Sequence, residues 1–360
     1  MSRETNVLSL KAKRSKHPTA PKLANLPRDQ KKLLNMLQFK RPANSGTEAA
    51  FNRRYLRPVG ARPDQFGNHW LTIPGNDALM FSSHTDTVHK EHGIQALLYG
   101  GGIVSAKDSN CLGADCTVGV WLMLEMIKKK IPGIYVFHAE EEIGGCGSNA
   151  IATETPDRLK NVKFAIAFDR KGYDEIITHQ YSGRTASDEF AHSLASVLKP
   201  LDYGPSEHGS FTDTANYADL IPECTNISVG YFRQHESVEH LDIPHAAALR
   251  DALISADWSK LVCARDPTVQ EAKAYKWVGK GLRGSWWKDA KKDEKIDTSP
   301  YVKWWQDPKY AYSDEPDRGE TRLHEFVRSH PVAVATFLEQ NGFRKEDIED
   351  FMWGDLPAVS

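Results

Sequence analysis

Apolar positions recur along this chain at two spacings, and the alternation between them predicts its elements. From Gln30, the pattern Leu33, Leu34, Met36, Leu37 predicts a helix that Pro42 ends. A turn-rich start then leads into a second helical stretch, Ala49–Leu56. Short β-like runs follow at Trp70–Ile73, after the Gly67-Asn68 turn, and at Ala78–Ser83. A helix of about 15 residues is expected from near Asp115, with Val118, Trp121, Leu122, Leu124 and Ile127 apolar and three Lys (128–130) at its C-terminal end. Further strand-like runs are Ile134–His138, Phe164–Phe168 and Cys224–Phe232. Strands alternating with helices predict an α/β fold with a mostly parallel, doubly wound sheet.

Composition adds little to that pattern, but its distribution adds more. Hydrophobic residues make up 40% and charged residues 26%, which is ordinary for a globular protein. Residues 1–45 hold eleven Lys/Arg against Glu4 and Asp29, so that stretch is about +9 and the rest about −11 of the formal −2. The run Lys11, Lys13, Arg14, Lys16 is read as part of a solvated arm rather than a nucleic-acid contact. Beyond about Val262 the texture changes again. Six of the nine Trp (277, 286, 287, 304, 305, 353) lie there, within irregular and partly helical sequence expected to pack on the core. With 18-residue apolar runs absent, no membrane span is expected. Five cysteines without a C-x-x-C point to reduced thiols in a cytoplasmic setting.

The chemistry-bearing residues fall where those elements end. Ala78–Ser83 runs into His84-Thr85-Asp86, Ile134–His138 into Glu140-Glu141-Glu142, Phe164–Phe168 into Asp169, and Cys224–Phe232 toward His235. Asp115 opens a helix in the turn Leu112-Gly113-Ala114-Asp115. In open α/β sheets, sites form beyond the carboxyl ends of the strands, so these groups should converge. Two His with carboxylates suit Zn²⁺, and a bridging carboxylate can hold two metals about 3.5–4 Å apart. Asp86 is placed to accept the far ring N–H of His84. Of neighbouring glutamates, one can bind metal while the other acts as base.

The strings Ser83-His84-Thr85-Asp86-Thr87-Val88, Leu112-Gly113-Ala114-Asp115, Glu141-Glu142-Ile143-Gly144, Phe168-Asp169-Arg170 and His235-Glu236-Ser237-Val238-Glu239 resemble the di-zinc exopeptidases of the peptidase T, carboxypeptidase G and aminoacylase group. Related single-domain zinc aminopeptidases share that core. The resemblance covers about residues 30–255 and implies two divalent ions, most simply Zn²⁺. It assigns His84 and Asp169 to one ion, Glu142 and His235 to the other, and Asp115 to the bridge. It makes Glu141 the general base and has Asp86 orient His84. The chain then divides into a basic flexible arm (1–28), a di-zinc hydrolase domain (29–262) and a Trp-rich extension (263–360).

This sequence departs from that pattern in two ways. The position after the bridging residue is often acidic in the group and here is Cys116, expected to be an outward-facing spectator. Only 66 positions separate Asp169 from His235, which leaves no room for the group's inserted lid. Within that interval, the polar loop His179–Thr185 could line a substrate pocket. Arg184 and Arg233 could pair with a substrate carboxylate through their planar forks, and Asp213 with a substrate amine. His208, His240 and His245 are expected as ordinary surface residues. The reading is an exopeptidase acting on a small peptide, with an aminopeptidase favoured by the missing lid. An N-acyl amino acid deacylase of the same group is the alternative, and a non-catalytic binding protein retaining the fold is a further one. Oligomeric state is left open.

Overall fold

Leu79–His84 is a six-residue strand with every side chain buried, and a strand buried on both faces belongs at the centre of a covered sheet. In the computed structural model, which describes residues 25–180 and 183–269, it lies there. The chain begins with α1 (Arg28–Leu37), β1 (Phe39–Lys40), α2 (Gly46–Tyr55), β2 (Arg62–Pro63), β3 (His69–Ile73) and β4 (Leu79–His84). Next come β5 (Gly93–Ile94), β6 (Ala96–Gly100), β7 (Ile103–Lys107), α3 (Ala114–Lys128), β8 (Gly133–His138) and α4 (Cys146–Glu154). Then follow β9 (Phe164–Arg170), β10 (Glu175–Ile177), β11 (His179–Gln180), β12 (Gly183–Arg184), α5 (Asp188–Val197) and β13 (Gly204–Ser206). The last elements are β14 (Glu223–Ser228), β15 (Tyr231–Phe232), β16 (His240–Asp242) and α6 (Ile243–Ser255).

Eight strands form one sheet in the order β13-β10-β14-β9-β4-β8-β3-β2. Its centre is parallel: β14 with β9, β9 with β4 and β4 with β8. The pairs β3–β8, β2–β3 and β10–β14 are antiparallel. The side chains of β4 alternate between two cores, as a strand's period of two requires. Leu79 and Phe81 join the larger cluster, with residues of α1, α3, α5 and α6, while Met80 joins a smaller one with Ile151 of α4 and Tyr217. Both faces are therefore covered, and the expected doubly wound architecture holds. Gly119 lets α3 lie close on the sheet, since a Cβ there would come within 2.2 Å of the Phe168 carbonyl and 2.4 Å of Ser83 Oγ.

The 170–234 interval supplies β10, β13 and β14 to this sheet, so it belongs to the body of the domain. The run Cys224–Phe232, expected as a single strand, is two. It breaks at Gly230, whose φ is 95°, and β15 joins a separate sheet ordered β15-β16-β7-β6. His245 is buried rather than at the surface, packed 4.7 Å from the Tyr173 ring. The structure divides into two units, Met1–Lys276 and Trp277–Ser360, and every described residue lies in the first. The basic arm up to residue 24 and the extension from 270 onward lie outside the described residues. Near the end of the described residues, the Ala264 and Arg265 backbone N–H groups donate to Glu223 at 2.8 and 2.9 Å.

Candidate metal centre

Five ligand-type residues from distant parts of the chain meet at the carboxyl ends of β4, β8 and β9. His84 ends β4, wholly buried, and its Nε2 lies 3.1 Å from Asp115 Oδ1 and 3.3 Å from Asp169 Oδ1. His235 places its Nε2 3.2 Å from Asp115 Oδ2 and 3.1 Å from Glu142 Oε2. Asp115 thus presents one carboxylate oxygen to each histidine. The His84 end is closed, whereas the His235 side chain is 48% exposed, so the site opens on that side.

Each position has a local cause. Asp115 lies in the first turn of α3 with non-helical angles (φ −73°, ψ 104°), which leaves its backbone N–H free for a partner outside the helix. That partner is Glu239 Oε1 at 3.2 Å. His235 has φ 65°, a conformation uncommon for a side-chain-bearing residue, in a turn closed by Arg233 and Glu236. The three glutamates after β8 separate. Glu140 turns to Asn44, accepting its side-chain N–H at 2.6 Å, while Glu141 and Glu142 line the cavity. Asp86 holds that turn by accepting the Glu141 and Glu142 backbone N–H groups at 3.2 and 3.0 Å. The nearer partner of His84 Nδ1 is the Asp86 carbonyl at 3.1 Å; its carboxylate is 3.4 Å away. Asp86 therefore orients His84 mainly through its backbone.

The electrostatics describe a site short of positive charge. Four carboxylates (Asp115, Glu141, Glu142, Asp169) converge with two imidazoles in a largely buried space. Burial and the neighbouring charge of Asp115 push Asp169 up to about 7. Burial raises Glu141 and Glu142 as well. For Asp115, burial opposes ionisation, yet the hydrogen bonds to His235 and His84 hold its carboxyl well below the usual range. His235 is pushed up to about 11 by Asp115 and Glu142. Glu142 Oε1 is buried without a hydrogen-bond partner. An N/O donor set, surplus negative charge and an unpartnered carboxylate oxygen all fit a divalent cation. Among the described residues, three groups have donor atoms within 4.8 Å of one another: His84–Cys116–Asp169, His84–Glu141–Glu142 and Asp115–Glu142–His235.

One expectation is corrected, and the other residues singled out have these partners. Cys116 does not face outward: it is fully buried beneath His84, donates from Sγ to the Phe168 carbonyl at 3.1 Å, and is kept a thiol by burial. Arg184 pairs with Asp188 at 3.1 Å, and Arg233 with Glu236 at 3.0 Å through Nε. Neither lines the cavity. Asp213 is buried against His138, 3.3 Å from its Nδ1, and His138 contacts Tyr217 OH at 2.7 Å on its other side. The charge of Asp213 also acts on Glu141. The His179–Thr185 loop forms the hairpin β11–β12, and its described residues do not line the cavity.

Further groups hold Asp169 and close the cavity. Thr212 donates to Asp169 Oδ2 at 2.7 Å, Asn226 accepts the Asp169 N–H at 2.9 Å, and Tyr231 donates to its carbonyl at 2.8 Å. Lys171, Ser210, Phe211 and Gln234 complete the cavity wall with Arg170, whose guanidinium is held by Glu175 and the His208 carbonyl.

Residues 68–220 match the profile of Peptidase family M28. Comparison with curated protein sequences returns no match. Among solved structures, the fold is similar to aminopeptidase PepT from Bacillus cereus, at 14% identity and a TM-score of 0.50, over 63% of this chain and 97% of that one. A tripeptidase from Staphylococcus aureus aligns with a TM-score of 0.51 and 14% identity, over 63% of this chain and 97% of that one. TET1 peptidase from Pyrococcus horikoshii, described as assembling into a tetrahedron or a large octahedral shell, gives 0.51 and 15% identity, over 63% and 98%.

Proposed function

We propose that this chain is a zinc-dependent metallopeptidase of the zinc exopeptidase superfamily and, within it, an aminopeptidase that removes residues from the free amino end of short peptides, using two divalent ions. The observation that carries the two-ion reading is the placement of Asp115 between His84 and His235, one oxygen toward each. His84, Asp115 and Asp169 would hold one ion, and Asp115, Glu142 and His235 the other. Bound divalent ions would lower the pKa of water toward 7 and polarise the scissile carbonyl.

The remaining work falls to side chains of this chain. Glu141 lines the cavity but stands 4.0 Å from His84 Nε2, beyond the direct contacts made by Asp115 and Asp169. It takes the proton of the attacking water and returns it to the departing amine. Burial raises its pKa, which suits a group that must both accept and donate near neutral pH. Lys171, exposed on the same wall, suits the carboxylate end of a short substrate. The aminopeptidase name of the PepT neighbour agrees with this reading.

A panel of free, N-acetylated and C-amidated di- and tripeptides, assayed beside elemental analysis, tests it. The expected result is two divalent ions per chain and cleavage confined to peptides with a free amine. Cleavage of the N-acetyl compounds alone would replace the aminopeptidase with a deacylase on the same machinery.

A further inference from the structure

Glu239 is 1% exposed and lies four residues after His235, at the entry to β16. Its carboxylate accepts three backbone N–H groups from one loop: Leu112 and Gly113 on Oε2 at 2.8 and 2.9 Å, and Asp115 on Oε1 at 3.2 Å. This loop leads into α3 and carries Asp115 at its end. The backbone of Asp115 departs from helical angles, so intrahelical bonding does not set its direction. The segment from His235 to Glu239 therefore grips Asp115 from both sides. The imidazole faces its carboxylate, and Glu239 holds its main chain from behind.

We propose that Glu239 is a positioning residue that fixes the Asp115 carboxylate in the orientation facing His84 and His235 at once, and so sets the affinity of the site for divalent cations. The inference rests on the two-ion reading above. A buried carboxylate beside the negative Asp115 is unfavourable by itself, and burial with that charge pushes Glu239 up to about 7. The three N–H donors offset this by favouring the ionised form. A glutamine at 239 keeps the shape but aims an N–H₂ at one set of donors, which loosens the loop without opening a cavity.

The test is Co²⁺ titration of the full chain, followed by calorimetry and by the d–d absorption of the bound ion, in wild type, Glu239→Gln and Glu223→Gln. Glu223 is the matched control. It is a fully buried carboxylate that accepts Ser187, Ala264 and Arg265 backbone N–H groups away from the site. The expected result is a Co²⁺ affinity lowered about 10–100-fold in Glu239→Gln, the usual effect of losing a group that orients a ligand. Glu223→Gln should bind Co²⁺ as wild type does while its metal-free form unfolds at a lower temperature. For Glu239→Gln at saturating Co²⁺, KM for a dipeptide should match wild type. Wild-type affinity in Glu239→Gln, an equal loss in Glu223→Gln, or a Glu239→Gln chain that does not fold would each overturn the inference. If wild type binds no Co²⁺, the two-ion reading falls and takes the inference with it, an outcome distinct from a tight wild-type site with an unaffected variant.

Discussion

The carboxylate of Asp86, just beyond β4, accepts the backbone N–H of Glu142, just beyond β8, at 3.0 Å. The same carboxylate takes the Glu141 N–H, so one side chain fixes the turn that carries both glutamates. It also lies 3.4 Å from His84 Nδ1, which links three of the site's residues through one group.

Asp86→Ala should therefore act on metal affinity before it acts on substrate. Removing the acceptor frees the glutamate turn, and divalent-ion affinity should fall about 10–100-fold. Competition with a chromophoric chelator measures it, and an unchanged affinity would show that the turn holds itself.

Glu141→Gln keeps the shape of the side chain and removes the proton acceptor. It should retain bound metal and KM while kcat falls about 10²–10⁴-fold, the usual contribution of a positioned acid–base group. Glu142→Gln should instead lose metal, because its Oε2 faces His235 at 3.1 Å. Measuring metal content beside turnover in both variants checks the assignment, and the opposite pattern would mean the roles are exchanged.

Asp115→Ala should abolish binding of both ions, whereas His235→Ala should weaken one, since Asp115 contacts both histidines directly, one oxygen to each. Elemental analysis after dialysis distinguishes stoichiometries near zero, one and two.

A pH effect is expected from Glu48, a buried carboxyl that accepts the Thr85 hydroxyl at 2.6 Å and the Asn44 N–H at 2.7 Å. Burial and the charge of Asp86 push it up to about 7 against the usual 4.5. The folded state then binds this proton more tightly than the unfolded chain does. The associated stability is present at acid pH and is lost as pH rises from about 4.5 through 7. Urea unfolding of metal-free protein should show wild type losing stability relative to Glu48→Gln over that window. A difference that is constant with pH would refute the shift.

The ligand types were legible because each is announced locally. An apolar run ends and a His, Asp or Glu follows, as at His84 after β4, Glu142 after β8 and Asp169 within β9. Helix α3 was predicted from its apolar run and Lys-rich end, and it spans Ala114–Lys128. The hairpin of β6 and β7 was not predicted, because its solvent-facing strands carry only a weak alternation of partly exposed residues.

What the sequence determined by itself is the α/β class and the residue types that follow its central strands, since periodicity and strand-end chemistry are properties of neighbouring residues. What only the tertiary structure decided is which groups hold those donors in place. Glu239 meets Asp115 across 124 positions, Asn226 meets Asp169 across 57, and Thr212 meets it across 43. The inward burial of Cys116 and the pairing of Arg184 with Asp188 and Arg233 with Glu236 were settled the same way. Such contacts leave no periodic trace along the chain. They exist because a buried polar group needs a partner, and the fold supplies whichever residue the packing brings within reach.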